Sequence, residues 1–141
     1  MVWMNRIQNE SAVCVCHEEA TTWTCSVMHM SKQENGWIEP GAPMFFNDAG
    51  SELITSLPSL QNDNLNYAHV AKIGLDGKVV FLTSGSMVVT DILSWDQRNH
   101  AVYFMATYNG SGDRHLYSVD DMGKKNFITC LTCNLPVRKY S

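Results

Sequence analysis

Residues Asn66 to Thr83 read N-Y-A-H-V-A-K-I-G-L-D-G-K-V-V-F-L-T. Two apolar runs, Asn66 to Leu75 and Lys78 to Thr83, meet at Asp76-Gly77. Asp-Gly between apolar runs signals a β-hairpin, because both central residues of a type I′ turn need positive φ. The stretch therefore predicts two antiparallel strands joined by such a turn. The same grammar extends upstream, through Ala12 to Cys16, Trp23 to Met30, Met44 to Phe46 and Ser51 to Leu57. Polar breaks at His17 to Thr22, Gly36 to Pro43 and Asn47-Asp48-Ala49-Gly50 separate those runs. Downstream come Val88 to Trp95, Ala101 to Thr107, Arg114 to Asp120 and Asn126 to Leu131. No segment carries a helical period over ten or more residues, so the pattern is an all-β meander.

The hairpin recurs. A shift of 46 residues lays Gly77-Lys78 on Gly123-Lys124, and Phe81, Leu82 and Thr83 on Phe127, Ile128 and Thr129. It also sets His69, Val70 and Ile73 on His115, Leu116 and Val119. With two more residues of offset, Asp48 meets Asp96, and Leu53-Ile54 meets Ala101-Val102. A period in the forties, built from about four short strands, is the signature of propeller blades. A β-sandwich with two similar hairpins is the alternative; the blade reading is preferred.

Composition agrees with a folded β protein. Of 141 residues, 45% are hydrophobic and only 17% charged, and the net charge is -4. Enough apolar surface is present to offset ordering entropy, which excludes intrinsic disorder. A mildly acidic chain lacks the clustered Lys and Arg that a nucleic-acid partner requires. No run of about 18 apolar residues is long enough to span a bilayer as a helix. Met1 to Asn9 has neither the apolar core nor the cleavage site of a signal peptide. Five cysteines and two N-x-Ser sequons, at Asn9 and Asn109, nevertheless point to secretory chemistry. That combination predicts a piece of a longer protein from a secretory environment.

The cysteines form two groups. Cys130-Leu131-Thr132-Cys133 is a C-x-x-C, but no helix follows whose N-terminus would lower a thiol pKa. A zinc site needs a second ligand pair, and none follows in the last eight residues. A short structural disulfide is the preferred reading. Cys14, Cys16 and Cys25 lie near His17 and His29, so a zinc site is imaginable there. Cys14 and Cys16 share a strand face, and a disulfide from Cys16 across the hairpin to Cys25 is preferred over zinc. Cys14 is then free and buried.

No nucleophile elbow, phosphate-binding glycine loop, H-E-x-x-H or EF-hand sequence is present. Glu18-Glu19 reads as a solvated hairpin tip. The five histidines (17, 29, 69, 100 and 115) and Trp3, Trp23, Trp37 and Trp95 read as structural. No catalytic residue, cofactor or metal is expected.

Trp3-Met4-Asn5-Arg6-Ile7-Gln8-Asn9 resembles the W-x-x-R-x-Q-N segment of the dipeptidyl peptidase IV family's N-terminal β-propeller. Cys16 and Trp23-Thr24-Cys25 then resemble its next disulfide. Thr83-Ser84-Gly85, with Val89-Thr90, Ile92-Leu93 and Asp96, resembles its T-S-G-x-x-x-V-T-x-I-L-x-x-D strand. Tyr103-Phe104, Leu116-Tyr117-Ser118 and Cys130-Leu131-Thr132-Cys133 continue the match in order.

The resemblance implies four-stranded antiparallel blades of a partial propeller, about two and a half of eight. The blades would span 1–30 in part, 38–84 and 86–133. An α/β-hydrolase domain would lie outside the chain. It implies a type II membrane or secreted glycoprotein, at the extracellular face of the plasma membrane or released. Active members are serine exopeptidases that release N-terminal dipeptides after a penultimate Pro or Ala. It further implies disulfides Cys16–Cys25 and Cys130–Cys133, and it strengthens the Asn9 sequon. Expected partners are the hydrolase domain, a peptide substrate and a second copy in a homodimer.

Departures from the family pattern also count. Glu18-Glu19 does not correspond to the family's substrate-binding glutamates, which precede this segment. The loop from Trp37 to Pro43 is shorter and lacks the pocket's aromatic and neighbouring arginine. A family cysteine pair between Asn66 and Val80 is missing. The leading expectation is a non-catalytic propeller segment that shapes substrate access to a peptidase. A catalytically inactive, channel-associated relative is the second, and an unrelated extracellular β binding module the third. A partial ring exposes sheet edges and faces, so the isolated segment is expected to be poorly soluble or loosely packed.

Overall fold

A computed structural model describes residues 1–39, 42–108, 112–123 and 127–135. Eleven strands form three antiparallel sheets, and the described residues contain no helix. The first sheet holds β1 (Val2–Met4), β2 (Glu10–Glu19) and β3 (Thr22–Lys32). The second runs β4 (Phe45–Phe46), β5 (Glu52–Leu60), β6 (Asn66–Gly74) and β7 (Val79–Phe81). The third runs β8 (Val88–Asp96), β9 (Ala101–Thr107), β10 (Arg114–Asp120) and β11 (Thr129–Cys130). Each sheet is a simple meander in chain order, the all-β architecture of partial propeller blades.

The sheets pack face to face. Val15, Met28, Leu53 and Ile73 fill the space between the first and second sheets. Between the second and third lies a larger cluster that includes Ile54, Val70, Leu82, Ile92, Val102, Phe104 and Tyr117. Phe104 and Tyr117 stack, with ring centroids 5.7 Å apart. By contrast Trp3, Trp23, Val27 and Met30, on the first sheet, are exposed.

Bulges explain where simple alternation fails. Val89 pairs with Ala106 and Asp91 with Met105, while Ile92 pairs with Phe104 and Ser94 with Tyr103. Thr90 and Leu93 are therefore extra residues on β8, so Val89 and Ile92, three apart, both reach the core. A bulge in the first sheet turns Met28 inward in the same way: Val13 faces His29 and Cys14 faces Val27.

The turn at Asp76-Gly77 is not type I′, because only Gly77 has positive φ (78°). Gly77 N–H donates to Gly74 C=O, and Gly74 N–H donates to Lys78 C=O. The loop is thus Leu75-Asp76-Gly77, a three-residue hairpin that closes on a left-handed residue. Asp76 Oδ1 accepts from Lys78 N–H at 3.0 Å. Gln61–Asn64 closes in the same way, with Asn64 at φ 61°, and the turns at Asn5–Gln8 and Asn47–Gly50 also end on a left-handed residue, at φ of 61° and 66°, in loops one residue longer. Gly77→Ala is expected to cost about 1 kcal/mol, since a Cβ there strains the left-handed backbone. The midpoint of urea unfolding checks it.

The repeat is present, but its alignment needs correction at both ends. Ala71 pairs with Phe81, and Tyr117 pairs with Cys130. His69 Nδ1 lies 2.9 Å from Thr83 Oγ1, and His115 Nδ1 lies 3.3 Å from Thr132 Oγ1. Thr83 therefore matches Thr132 rather than Thr129, and Leu82 matches Leu131 rather than Ile128. Leu53 pairs with Ile73 and Val102 with Val119, so Leu53 matches Val102 rather than Ala101. The β5–β6 and β9–β10 hairpins differ by three residues, and the loops before β7 and β11 restore the difference. Pairing register survives because both length changes sit in turns.

Glu18 and Glu19 are not in a turn. They extend β2, opposite Trp23 and Thr22, and the chain reverses at Ala20-Thr21 with Ala20 at φ 55°. Both carboxylates remain exposed. Among the described residues, no helix is long and apolar enough to cross a membrane.

Candidate functional site

The first candidate is an open cleft of about 540 Å³ beside the β2–β3 hairpin. It is lined by Cys14, Cys16, His17, Trp23, Cys25 and Phe46, among others. Cys16 and Cys25 are directly opposed across the hairpin, and their sulfurs are bonded, with Cα atoms 4.0 Å apart. Cys14 is a free thiol and half-buried rather than buried. The lining is mostly apolar and includes this disulfide.

A second site is the histidine–threonine clamp, which local sequence dictates twice. In the second sheet Thr83 follows β7 and its Oγ1 accepts Val70 N–H at 3.0 Å while bonding His69 Nδ1. In the third sheet Thr132 Oγ1 accepts Leu116 N–H at 3.0 Å while bonding His115. One hydroxyl thus ends each last strand where the ladder runs out. His69 is fully buried and its Nε2 has no partner among the described residues. Burial pushes its pKa below the usual histidine value. A depressed folded pKa means that the neutral ring is the folded form. Stability is complete above the unfolded value of about 6.5 and is lost as pH falls from there toward the folded pKa. A urea midpoint that drops as pH is lowered through about 6, with a shallower drop in His69→Gln, is the expected result.

The C-x-x-C closes the third sheet. Cys130 in β11 and Cys133 in the following turn are bonded, with Cα atoms 5.7 Å apart. Cys133 N–H donates to Cys130 Sγ at 3.1 Å. His115, from β10, brings a ring nitrogen into the same place: its ligand atom and both sulfurs lie within 4.8 Å of one another. A search for ligands only downstream of Cys133 misses His115, which precedes the cysteines in sequence and reaches them through strand pairing.

Three further polar contacts have no signal in the sequence. Trp95 Nε1 donates to buried Asp121 Oδ2 at 2.7 Å, and His100 Nδ1 lies 3.1 Å from Asp121 Oδ1. This carboxylate ties the turn before β9 to the turn after β10. His29 Nε2 lies 3.1 Å from Ser31 Oγ, and burial lowers the His29 pKa. No carboxylate orients His29 among the described residues' hydrogen bonds, so the pair is not a charge-relay system.

Of the sequons, Asn9 sits at the end of the Asn5–Gln8 turn. Its Oδ1 accepts from Asn5 Nδ2 at 2.7 Å, and Asn5 Oδ1 accepts Asn9 and Glu10 N–H. Asn9 Nδ2, the atom a glycan would occupy, makes no hydrogen bond among the described residues. Asn109 lies outside the described residues. Trp37 is exposed, and the loop it opens lies partly outside them.

Comparison with known proteins places these features. The family model described as "Dipeptidyl peptidase IV (DPP IV) N-terminal region" matches residues 1–141. "Inactive dipeptidyl peptidase 10" of Rattus norvegicus is 32% identical over 94% of this chain. The Mus musculus protein of the same name is 30% identical over 94% of it. "Dipeptidyl peptidase 4" of Bos taurus is 28% identical, again over 94%. The chain spans 17% of the length of the two rodent relatives and 18% of the bovine one.

Proposed function

Because the chain belongs to the dipeptidyl peptidase IV family, as part of its N-terminal region, we propose that it is a non-catalytic propeller segment of a larger serine exopeptidase. Its sheets would form part of the wall through which peptides reach a hydrolase domain of the same protein. The stack of consecutive antiparallel meanders supports this most directly, since such sheets repeated around an axis enclose a channel. The serine chemistry would lie in that hydrolase domain. The whole protein would release N-terminal dipeptides, at the extracellular face of the plasma membrane or in secreted form, as a homodimer. Family membership sets aside an unrelated binding module.

The test uses the full-length product, a chromogenic X-Pro anilide and a serine-directed fluorophosphonate. Anilide release with covalent labelling is the expected outcome. An intact substrate and an unlabelled protein would sink the peptidase reading. The second reading, a catalytically inactive channel-associated glycoprotein, would then stand. It is favoured by the two rodent relatives at 30% and 32% identity, whose names describe inactive proteins.

The glycoprotein reading has its own check. In secreted protein, Asn9→Gln is expected to remove one endoglycosidase-sensitive increment of mass. Unchanged migration would show that Asn9 carries no glycan.

A further inference from the structure

We propose that His115, Cys130 and Cys133 form a redox-gated site for a thiophilic divalent cation of the zinc class. Thiolates and imidazoles are donors that zinc takes, and C-x-x-C falls within the spacing of its two-cysteine motifs. The three ligand atoms already lie within 4.8 Å of one another. The backbone is set for charge on sulfur, because Cys133 N–H donates to Cys130 Sγ. The imidazole is also held in place. Thr132 Oγ1 lies 3.3 Å from His115 Nδ1 and is itself fixed by Leu116 N–H.

The preceding sheet provides an internal control. There the same clamp, His69 with Thr83, is complete without sulfur: Phe81 occupies the position of Cys130 and Ser84 that of Cys133. The clamp therefore does not need the cysteines. As a disulfide they close a loop of only three residues' separation, which constrains the unfolded chain little. Cys133 is exposed, so a reductant can reach its sulfur.

The gating step balances with a dithiol as reductant. One thiolate of the dithiol attacks Cys133 Sγ, and the bond between the two sulfurs breaks, leaving Cys130 as a thiolate that takes up a proton. The second thiol of the reductant then displaces Cys133. The reductant leaves as a cyclic disulfide, and Cys130 and Cys133 remain as thiols, having gained two electrons and two protons. Metal binding releases those two protons to solvent, neutral His115 supplies the third ligand through a ring nitrogen, and water takes the fourth position.

Cobalt(II) serves as the probe, added to the full-length protein after dithiol treatment and removal of the reductant. A thiolate-to-cobalt charge-transfer band is expected in the reduced protein, and its loss after reoxidation. The Cys130→Ser, Cys133→Ser double variant should lack the band. His115→Gln keeps the disulfide and should bind cobalt at least about tenfold more weakly, since even outer-shell partners of a metal site are worth that much. Failure of the reduced protein to give the band, the same band in the double variant, or unchanged affinity in His115→Gln would each overturn the proposal.

Discussion

Truncating Phe104 to alanine is expected to cost about 3–5 kcal/mol of folding stability. Phe104 is fully buried on β9 and stacks on Tyr117 of β10, with 20° between the ring planes. Its neighbours in the cluster come from both sheets, Ile54, Val70 and Leu82 from one side and Ile92 and Val102 from the other. The side chain is therefore the joint between the sheets, and a close-packed joint does not collapse to fill so large a void. Loss should be felt unevenly. Amide exchange in β8, β9 and β10 is expected to accelerate, while the β2–β3 hairpin, closed by its own disulfide, changes little. A shift in unfolding free energy below about 1 kcal/mol would show that the two sheets are held together elsewhere.

The second large effect separates two chemically identical threonines. Thr83→Val is nearly isosteric and removes only a hydroxyl, yet it leaves His69 Nδ1 and Val70 N–H without their partner. His69 and Val70 have no exposure to water, so neither group can be rehydrated. The expected cost is about 2–4 kcal/mol, because two buried polar groups forfeit their desolvation. Thr132→Val removes the same pair of bonds, but His115 and Leu116 are only half-buried and water can replace the hydroxyl. There the cost should be about 1 kcal/mol or less. Paired urea titrations of the two variants decide the matter, and equal losses would refute the role given to burial.

Much of this architecture is legible in the residues. Asp76-Gly77 announces a reversal because glycine tolerates positive φ, but the pair does not specify the turn type. The type depends on whether Leu75 joins the loop, which Gly74 C=O decides by accepting Gly77 N–H. Period-two alternation finds β9, where Val102, Phe104 and Ala106 all face inward. It fails in β8, because bulges at Thr90 and Leu93 are set by the partner strand rather than by local sequence. The repeat is visible through its middle, where one shift of 46 residues relates His69 to His115. Its ends fall outside that shift, because compensating loop lengths leave no trace in a fixed offset. Alternation leaves both Cys14 and Cys16 as partners for Cys25, and the cross-strand register selects Cys16, whereas His115 joins Cys130 and Cys133 only through strand pairing, which no spacing rule encodes.

The chain-order connectivity of the three sheets has a consequence for synthesis. Every strand in a sheet pairs with its neighbour in sequence, so each sheet is complete once a contiguous stretch has left the ribosome. Contacts that close early carry little loop entropy, and folding can proceed vectorially, each new sheet capping the apolar face of the one before. Met28 and Ile54 would wait for partners only during the translation of one further meander. The order of translation thus limits how long each sticky face stays open to misassembly.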